Sequence, residues 1–130
     1  MAPALFDKYI SAVMEKSSDK LASLFSVDGR LSLPFRRARE VIVGRDNIRL
    51  HYANGFGIAP LRFTSIEDVR FHYTDNPHVV IVEYKLHGNT LPDEKKFSLL
   101  YVNIIKINDD EITELIDYED VLNREYIFQD

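Results

Sequence analysis

The sequence predicts an α+β fold in which helices come first and an antiparallel sheet follows. Apolar residues recur at helical spacing in the first 25 positions, and from residue 61 the chain changes to four longer runs of β-branched and aromatic residues. Turn-forming residues separate these runs. A chain of 130 residues forms one domain with a real core. Helices followed by a meander of strands is an α+β order.

Two helices are predicted at the start. Pro3 suits a first helical turn, and we expect a helix over 3–16 with an apolar stripe of Leu5, Phe6, Tyr9, Ile10, Val13 and Met14. Ser18 or Asp19 can cap a second, short helix, which carries Leu21, Leu24 and Phe25. A turn at Asp28–Gly29 should end that segment, and short strands at 30–35 and 40–43 should flank the charged bend "RRARE".

The stretch "GRDNIRLHYANGF", residues 44–56, predicts a third, amphipathic helix. Asp46 can cap its start, and Gly55 and Gly57 can end it. His51 and Tyr52 then share the inward face with Ile48. An imidazole or a phenol buried without a partner costs roughly 1–3 kcal/mol, so either the fold or a ligand must supply hydrogen bonds.

The second half of the chain predicts four strands, at 62–74, 78–87, 96–107 and 111–119. Residues 99–105, "LLYVNII", are apolar on both alternating sets. We therefore expect this strand to be central and covered on both faces, by the helices on one side and by a layer such as a second subunit on the other.

Composition and charge exclude several classes of function. The 16 basic and 21 acidic residues leave a net charge of −5, which disfavours binding to nucleic acid or to anionic membranes. There is no cysteine, which excludes disulfides, thiolate nucleophiles and thiolate metal sites. There is also no glycine-rich phosphate loop and no serine-hydrolase elbow, which argues against nucleotide-dependent enzymes and serine hydrolases. His72, His78 and His87 show no metal-ligand spacing, so we expect no metal. No apolar run is long enough to span a membrane, and Asp7 interrupts the first apolar stretch, which predicts a soluble, cytoplasmic protein.

Short motifs resemble a known family. "LASLFSVDGRLSLPF", "VGRDNIRLHYANG" and the ending "EITELIDYED" are similar to the SnoaL-like and ketosteroid isomerase-like branch of the nuclear transport factor 2-like superfamily. The resemblance covers nearly the whole chain. It implies a cone-shaped, curved mixed or antiparallel sheet wrapped around the N-terminal helices, a cystatin-like α+β roll with a deep apolar pocket. It also implies a homodimer formed through the outer sheet face.

The steroid isomerase pattern is matched only in part. By this resemblance Tyr9 takes the place of the oxyanion-binding tyrosine, and Tyr52 that of a second, supporting tyrosine. Leu33, before Pro34, replaces the general-base aspartate, and Asn103 replaces the protonated aspartic acid of the oxyanion hole. Steroid isomerisation needs an aspartate to move the proton, and a leucine cannot do so. The substitutions argue against that route.

Phenazine-biosynthesis A/B proteins are similar in the "GR..I...H" helix, in a strand preceded by "DNPH", and in the last strand. That resemblance implies that His51 and Asp117 face each other across the pocket as an acid/base pair. Strand alternation alone predicts the opposite for Asp117. It groups Asp117 with Thr113, Leu115 and Glu119, whereas the other face, with Ile116 and Tyr118, is more apolar.

Other candidates follow from position. The amide of Asn103 in an apolar strand must find partners, which favours a pocket-facing, ligand-binding side chain. Phe25 is expected in the core, and the charged cluster of Arg36, Arg37 and Arg39 either guards the pocket mouth or forms a solvated bend. Predicted pocket walls are Leu33, Tyr84, Tyr101 and Leu115.

The candidate catalytic residues are His51, Asp117 and Tyr9, and Tyr52 and Asn103 are expected to bind ligand. The hypothesis is cofactor-free proton transfer on a small, partly apolar, cyclic molecule: isomerisation, cyclisation, condensation or dehydration. Two alternatives remain open. The same polar groups could recognise a ligand without catalysis, with Tyr9 an ordinary core tyrosine, or the chain could be a dimeric assembly module.

Overall fold

The computed structural model describes residues 2–128, which form four helices and one six-stranded sheet. The helices are α1 (Ala2–Glu15), α2 (Ser18–Ala22), α3 (Arg45–Ile58) and α4 (Val121–Ile127). The strands are β1 (Phe25–Leu33), β2 (Glu40–Val43), β3 (Leu61–Tyr73), β4 (Val79–Thr90), β5 (Lys96–Asn108) and β6 (Glu111–Glu119). The predicted α+β class is confirmed.

The sheet is mixed, curved and open, with the strand order β2-β1-β6-β5-β4-β3. β1 and β6 run parallel, and every other neighbouring pair is antiparallel. The meander brings Asn103 of β5 beside Val82 of β4 on one side and beside Asp117 of β6 on the other. Residues directly opposite each other have side chains on the same face. This register therefore places three inward-facing side chains in one row.

The core lies between the helices and the inner face of the sheet. α1 contributes Phe6, and α3 contributes Ile48, which is completely buried. The ring of Phe6 meets the ring of Tyr84 edge-on at 5.1 Å. Phe25 is also completely buried, as predicted.

β5 is central, as predicted, but only its inner face is covered by the described part of the chain. Leu99 and Ile105 are buried beneath the helices. On the outer face Leu100 is 58% exposed and Val102 is 41% exposed. The apolar character of the outer set therefore has no explanation within the described residues themselves.

Two glycine signals in the sequence were misinterpreted. Asp28–Gly29 is not a turn, because β1 runs through it with an irregularity in its pairing to β6. A Cβ at position 29 would lie 3.2 Å from the carbonyl oxygen of Ile112, so the glycine permits close strand contact. Gly55 and Gly57 do not end α3, which continues to Ile58.

Other element ends also differ from the prediction. Ser17 caps α2, by accepting a hydrogen bond from the backbone N–H of Lys20, and Phe25 already belongs to β1. Gly44 rather than Asp46 precedes α3. α4 was not predicted. Among residues 2–128, no helix has both the length and the apolar character needed to cross a bilayer.

Candidate functional site

A cavity of about 440 Å³ lies between the helices and the inner face of the sheet. Its wall combines aliphatic and aromatic side chains with a small number of polar ones, which is typical of small-molecule sites. The polar and aromatic lining residues are Tyr9, Lys16, Arg36, Glu40, His51, Tyr52, Asn54, Phe56, Phe63, Tyr84, Tyr101, Asp117, Glu119, Arg124 and Phe128. Helices α1 and α3 form one side of this cavity, strands β3 to β6 form most of the other, and β1, β2 and α4 each contribute one residue, Leu33, Glu40 and Arg124.

Asp117 is the most unusual group in the cavity wall. Its side chain points inward from β6 and the residue is only 7% exposed. Burial, followed by the nearby negative charge of Glu119, raises the pKa of Asp117 to about 8. A carboxyl group with this pKa is present in both protonation states near neutral pH, so it can give or accept a proton. The outward orientation that strand alternation predicted for Asp117 was wrong.

Asn103 holds Asp117 from behind the cavity wall. Its amide nitrogen donates to Oδ1 of Asp117 at 2.8 Å, and its amide oxygen accepts a hydrogen bond from the Tyr84 hydroxyl at 2.6 Å. Asn103 is completely buried and is not among the cavity-lining residues. We therefore revise the expectation that Asn103 contacts ligand. Both ends of its amide are occupied by protein, and it orients the carboxyl group that lines the cavity.

Glu119, two residues beyond Asp117, is bound to two arginines. Nε and Nη2 of Arg36 donate to its two carboxylate oxygens at 2.9 and 3.2 Å, and Nη1 of Arg124 lies 3.4 Å from Oε2. Arg36 also contacts Glu40 at 3.3 Å. The sequence indicated a role for the arginine cluster but not for Glu119. The signal available was that alternation places Glu119 on the same face as Asp117.

Tyr9 and Tyr52 both line the cavity. Burial, and then the proximity of Tyr52, Tyr84 and Asp117, keeps the pKa of Tyr9 well above its usual value. Burial likewise raises the pKa of Tyr52. The Tyr52 hydroxyl is buried close to that of Tyr9, and it makes no hydrogen bond of good geometry among residues 2–128. Both phenols stay protonated at neutral pH and can donate hydrogen bonds to a ligand.

His51 lines the same cavity but does not pair with Asp117. The ring of His51 packs edge-on against Tyr52 at 5.3 Å, and the described chain contains no hydrogen bond between His51 and Asp117. Burial and the positive charge of Arg36 lower the pKa of His51. The direct contact implied by the phenazine-protein resemblance is therefore absent between these two side chains, although both reach one cavity.

The remaining predicted residues divide into two groups. Leu33, Tyr84 and Tyr101 line the cavity, and the last two stack on each other at 5.2 Å. Leu115 is completely buried but lies in the core rather than in the cavity wall. Arg36 reaches the cavity, whereas Arg37 and Arg39 are exposed, so the arginine cluster supplies one site residue and a solvated bend.

The three strand histidines have other partners, on the sheet or in a turn. His72 contacts Glu83, His87 contacts Glu67 and Ser98, and His78 contacts the backbone oxygen of Ile107. Within residues 2–128 no three or more histidine, aspartate or glutamate side chains are grouped so that they could hold a metal ion. The side chains that line the cavity supply carboxyl, phenol, imidazole, ammonium and guanidinium groups.

Comparisons with known proteins agree with this architecture. A family model described as a SnoaL-like domain matches residues 6–115. A provisionally named isomerase from Bacillus subtilis superposes with a TM-score of 0.87, at 17% identity, over 98% of this chain and 91% of that chain. A phenazine biosynthesis-related protein from Pseudomonas aeruginosa superposes with a TM-score of 0.68 at 20% identity, over 96% of this chain and 87% of that chain.

A hypothetical protein from Catenulispora acidiphila, which has a ketosteroid isomerase-like fold and was solved in complex with trimethylamine, gives a TM-score of 0.74 at 17% identity. That match covers 93% of this chain and 88% of the other. At such identities these likenesses concern the fold alone. No curated protein sequence matches the chain significantly.

Proposed function

Since the chain belongs to the SnoaL-like domain family, we propose that it is a cofactor-free acid/base enzyme in which Asp117 moves a proton on a small cyclic ligand. The family predicted from the motifs is thereby confirmed, and the activity is our inference from the cavity. The observation that carries it is the carboxyl group of Asp117, which is buried in the cavity wall and has a pKa of about 8. Perturbed carboxyl groups in clefts are concentrated at functional sites.

The reaction follows from the groups that surround Asp117. Asn103 occupies Oδ1, which leaves Oδ2 as the atom to exchange a proton with a carbon or oxygen of the ligand. The hydroxyls of Tyr9 and Tyr52 can donate to a ligand oxygen on which negative charge develops. A neutral His51 can donate or accept a further hydrogen bond. Isomerisation, cyclisation, condensation and dehydration all use this set of groups.

The cavity supports a small, partly apolar and ring-shaped ligand. Flat aromatic walls are formed by the stacked pair Tyr84 and Tyr101 and by Tyr52, which stacks on Phe56 at 5.6 Å. Stacked rings favour a flat ligand between them. A volume of about 440 Å³ falls within the range of cavities that enclose drug-sized molecules.

Exchange of α-protons in D₂O tests the proposed activity without knowledge of the product. Cyclic enones and cyclic diketones would be incubated with the wild type, with Asp117→Asn and with the control Asp7→Asn, which removes an exposed carboxylate on α1. We expect at least one compound to exchange, with a loss of about 10²–10⁴-fold in Asp117→Asn and none in Asp7→Asn. Equal exchange in all three proteins would refute the role of Asp117.

The alternative function is ligand binding without proton transfer. It is favoured by two observations: Asp117 and Glu119 already have protein partners, and His51 is not bonded to Asp117. In that case ring compounds would stabilise the protein against unfolding, but no compound would exchange its protons faster than in buffer.

We also propose that the outer sheet face forms a homodimer. Leu100, Val102 and Phe35 are at least 41% exposed there, and Phe35 packs only edge-on against Tyr118. Contiguous exposed apolar surface of this kind marks interaction sites. Sedimentation of the wild type should show a dimer, and Leu100→Asp should dissociate it. Tyr73→Asp serves as a control, because Tyr73 is exposed at the end of β3, and it should leave the dimer intact. A wild-type monomer would refute the proposal.

A further inference from the structure

Lys16 occupies a backbone position that favours glycine. It follows the last residue of α1 with a φ of 54°, in the left-handed region. Its N–H bonds to the Val13 carbonyl at 3.0 Å, and the N–H of Ser17 bonds to the Ala12 carbonyl at 2.9 Å. This is the geometry with which many helices end, usually at a glycine. A lysine here is disfavoured by its own Cβ, so the backbone conformation alone does not explain why this position carries a lysine.

The side chain of Lys16 reaches the cavity. Its Nζ donates to the carbonyl oxygen of Ala59 at 3.1 Å, at the end of α3, and Lys16 is among the cavity-lining residues. An ammonium group has three donors, and this bond uses one of them. Lys16 therefore closes the end of α3 and still has hydrogen-bonding capacity toward the cavity.

Lys16 differs from the other cations that line the cavity. Arg36 and Arg124 both contact the carboxylate of Glu119. In the part of the chain that the structure describes, no Asp or Glu oxygen lies within ion-pair distance of Lys16 Nζ. Its cavity neighbours include Val13 and Pro60 and the exposed Ile58, so Lys16 lies at the mouth of the cavity. There its positive charge can meet the negatively charged end of a ligand whose apolar part lies deeper in the cavity.

We infer that Lys16 makes the cavity selective for ring compounds that carry a carboxylate in addition to the oxygen held by the tyrosines. This rests on the proposed function only in requiring that the cavity binds a cyclic ligand. A single ammonium group matches a monocarboxylate, because a phosphate would call for more than one cation or for several backbone donors. Burial lowers the pKa of Lys16, which agrees with a charge that has no anionic partner among the described residues.

A matched pair of probes tests this inference. A fluorescent hydroxynaphthoate and its methyl ester differ in the negative charge and in one methyl group, and their dissociation constants would be measured for the wild type and for four variants, in which the methyl contribution is the same. Lys16→Met removes the cation, Lys16→Gly removes it and relieves the left-handed backbone, and Lys16→Arg retains it. Lys8→Met removes one positive charge from the exposed face of α1 as a control for net charge.

We expect the wild type to bind the carboxylate about tenfold more tightly than the ester, as one charge-assisted hydrogen bond predicts. The ratio should fall to about one in Lys16→Met and Lys16→Gly and persist in Lys16→Arg and Lys8→Met. Equal wild-type affinities, a ratio that survives both charge-removing variants, or no binding of either probe would overturn the inference.

The failure of this inference is distinguishable from that of the proposed function. Asp117→Asn should change the affinities of both probes by the same factor, because it does not alter the charge near Lys16. If the proton-exchange assay shows no catalysis while the carboxylate preference is present and depends on Lys16, the specificity stands and the enzyme proposal falls. Catalysis without any carboxylate preference gives the reverse conclusion.

Discussion

Replacing Asp117 by asparagine should stabilise the protein at neutral pH, and by more as the pH rises. The carboxyl group ionises in the unfolded chain near its ordinary pKa of 3.8 but stays protonated in the folded protein up to about 8. Between these values the unfolded state releases a proton that the folded state retains. Because this release favours unfolding, the wild type loses stability steadily as the pH rises through that window. Asparagine has no proton to release.

The magnitude follows from the size of the shift. Each pKa unit corresponds to about 1.36 kcal/mol. Between pH 3.8 and pH 7 the penalty on the wild type grows to about 4 kcal/mol, and above pH 8 it levels off near 6 kcal/mol. Asparagine has almost the same shape as aspartate and can still accept the hydrogen bond from Asn103 through its side-chain oxygen. Little else should change with the substitution.

Urea unfolding of the wild type and Asp117→Asn, at several pH values from 4 to 9, measures the effect. The difference in unfolding free energy should widen across that interval and then become constant. Asp7→Asn, which removes an exposed carboxylate, reports the effect of net charge alone. A difference between the wild type and Asp117→Asn that is independent of pH would show that Asp117 does not stay protonated, and the acid/base proposal would lose its foundation.

Three further predictions use urea unfolding, and one of them also uses the binding of hydroxynaphthoate. Asn103→Leu should raise the pKa of Asp117 further, because the amide N–H that it removes lowers that pKa, and should cost about 1–3 kcal/mol for each partner left unsatisfied. Tyr52→Phe should raise stability by about 1–3 kcal/mol, because it removes a buried hydroxyl that has no well-formed hydrogen bond within the described chain, yet weaken hydroxynaphthoate binding by about tenfold. Gly88→Ala should cost about 1–3 kcal/mol, because its Cβ would lie 2.5 Å from a backbone oxygen of β3, whereas Gly55→Ala, in open space on α3, should gain about 0.5–1 kcal/mol.

The strands of the second half could be predicted because two local signals agree there. β-Branched and aromatic residues fill each run, and turn chemistry separates them, so the observed β3 to β6 differ from the predicted ranges by no more than three residues at any end. In the first half the signals conflict. Gly29 indicated a turn, yet it is needed where β1 approaches β6, a strand more than 80 residues later. A contact so distant leaves no local pattern.

The candidate site could be predicted only as a set of residues. Motif resemblance identified Tyr9, His51 and Asp117 as cavity residues, but it also implied a direct His51–Asp117 bond that the fold does not make. The partner that Asp117 does have is Asn103, across the β5–β6 pairing. Register decides that partnership, and register depends on the whole sheet rather than on either strand alone.

The asymmetry between the two carboxyl groups of β6 explains why only one of them suits proton transfer. Asp117 and Glu119 are two positions apart, so both face the cavity. Arg36 and Arg124 donate hydrogen bonds to Glu119, whereas Asp117 receives one bond from a neutral amide. The negative charge of Glu119 disfavours a second negative charge on Asp117 and so raises the pKa of Asp117. Environments that separate two neighbouring carboxyl groups in this way assign the acid/base role to the group without cationic partners.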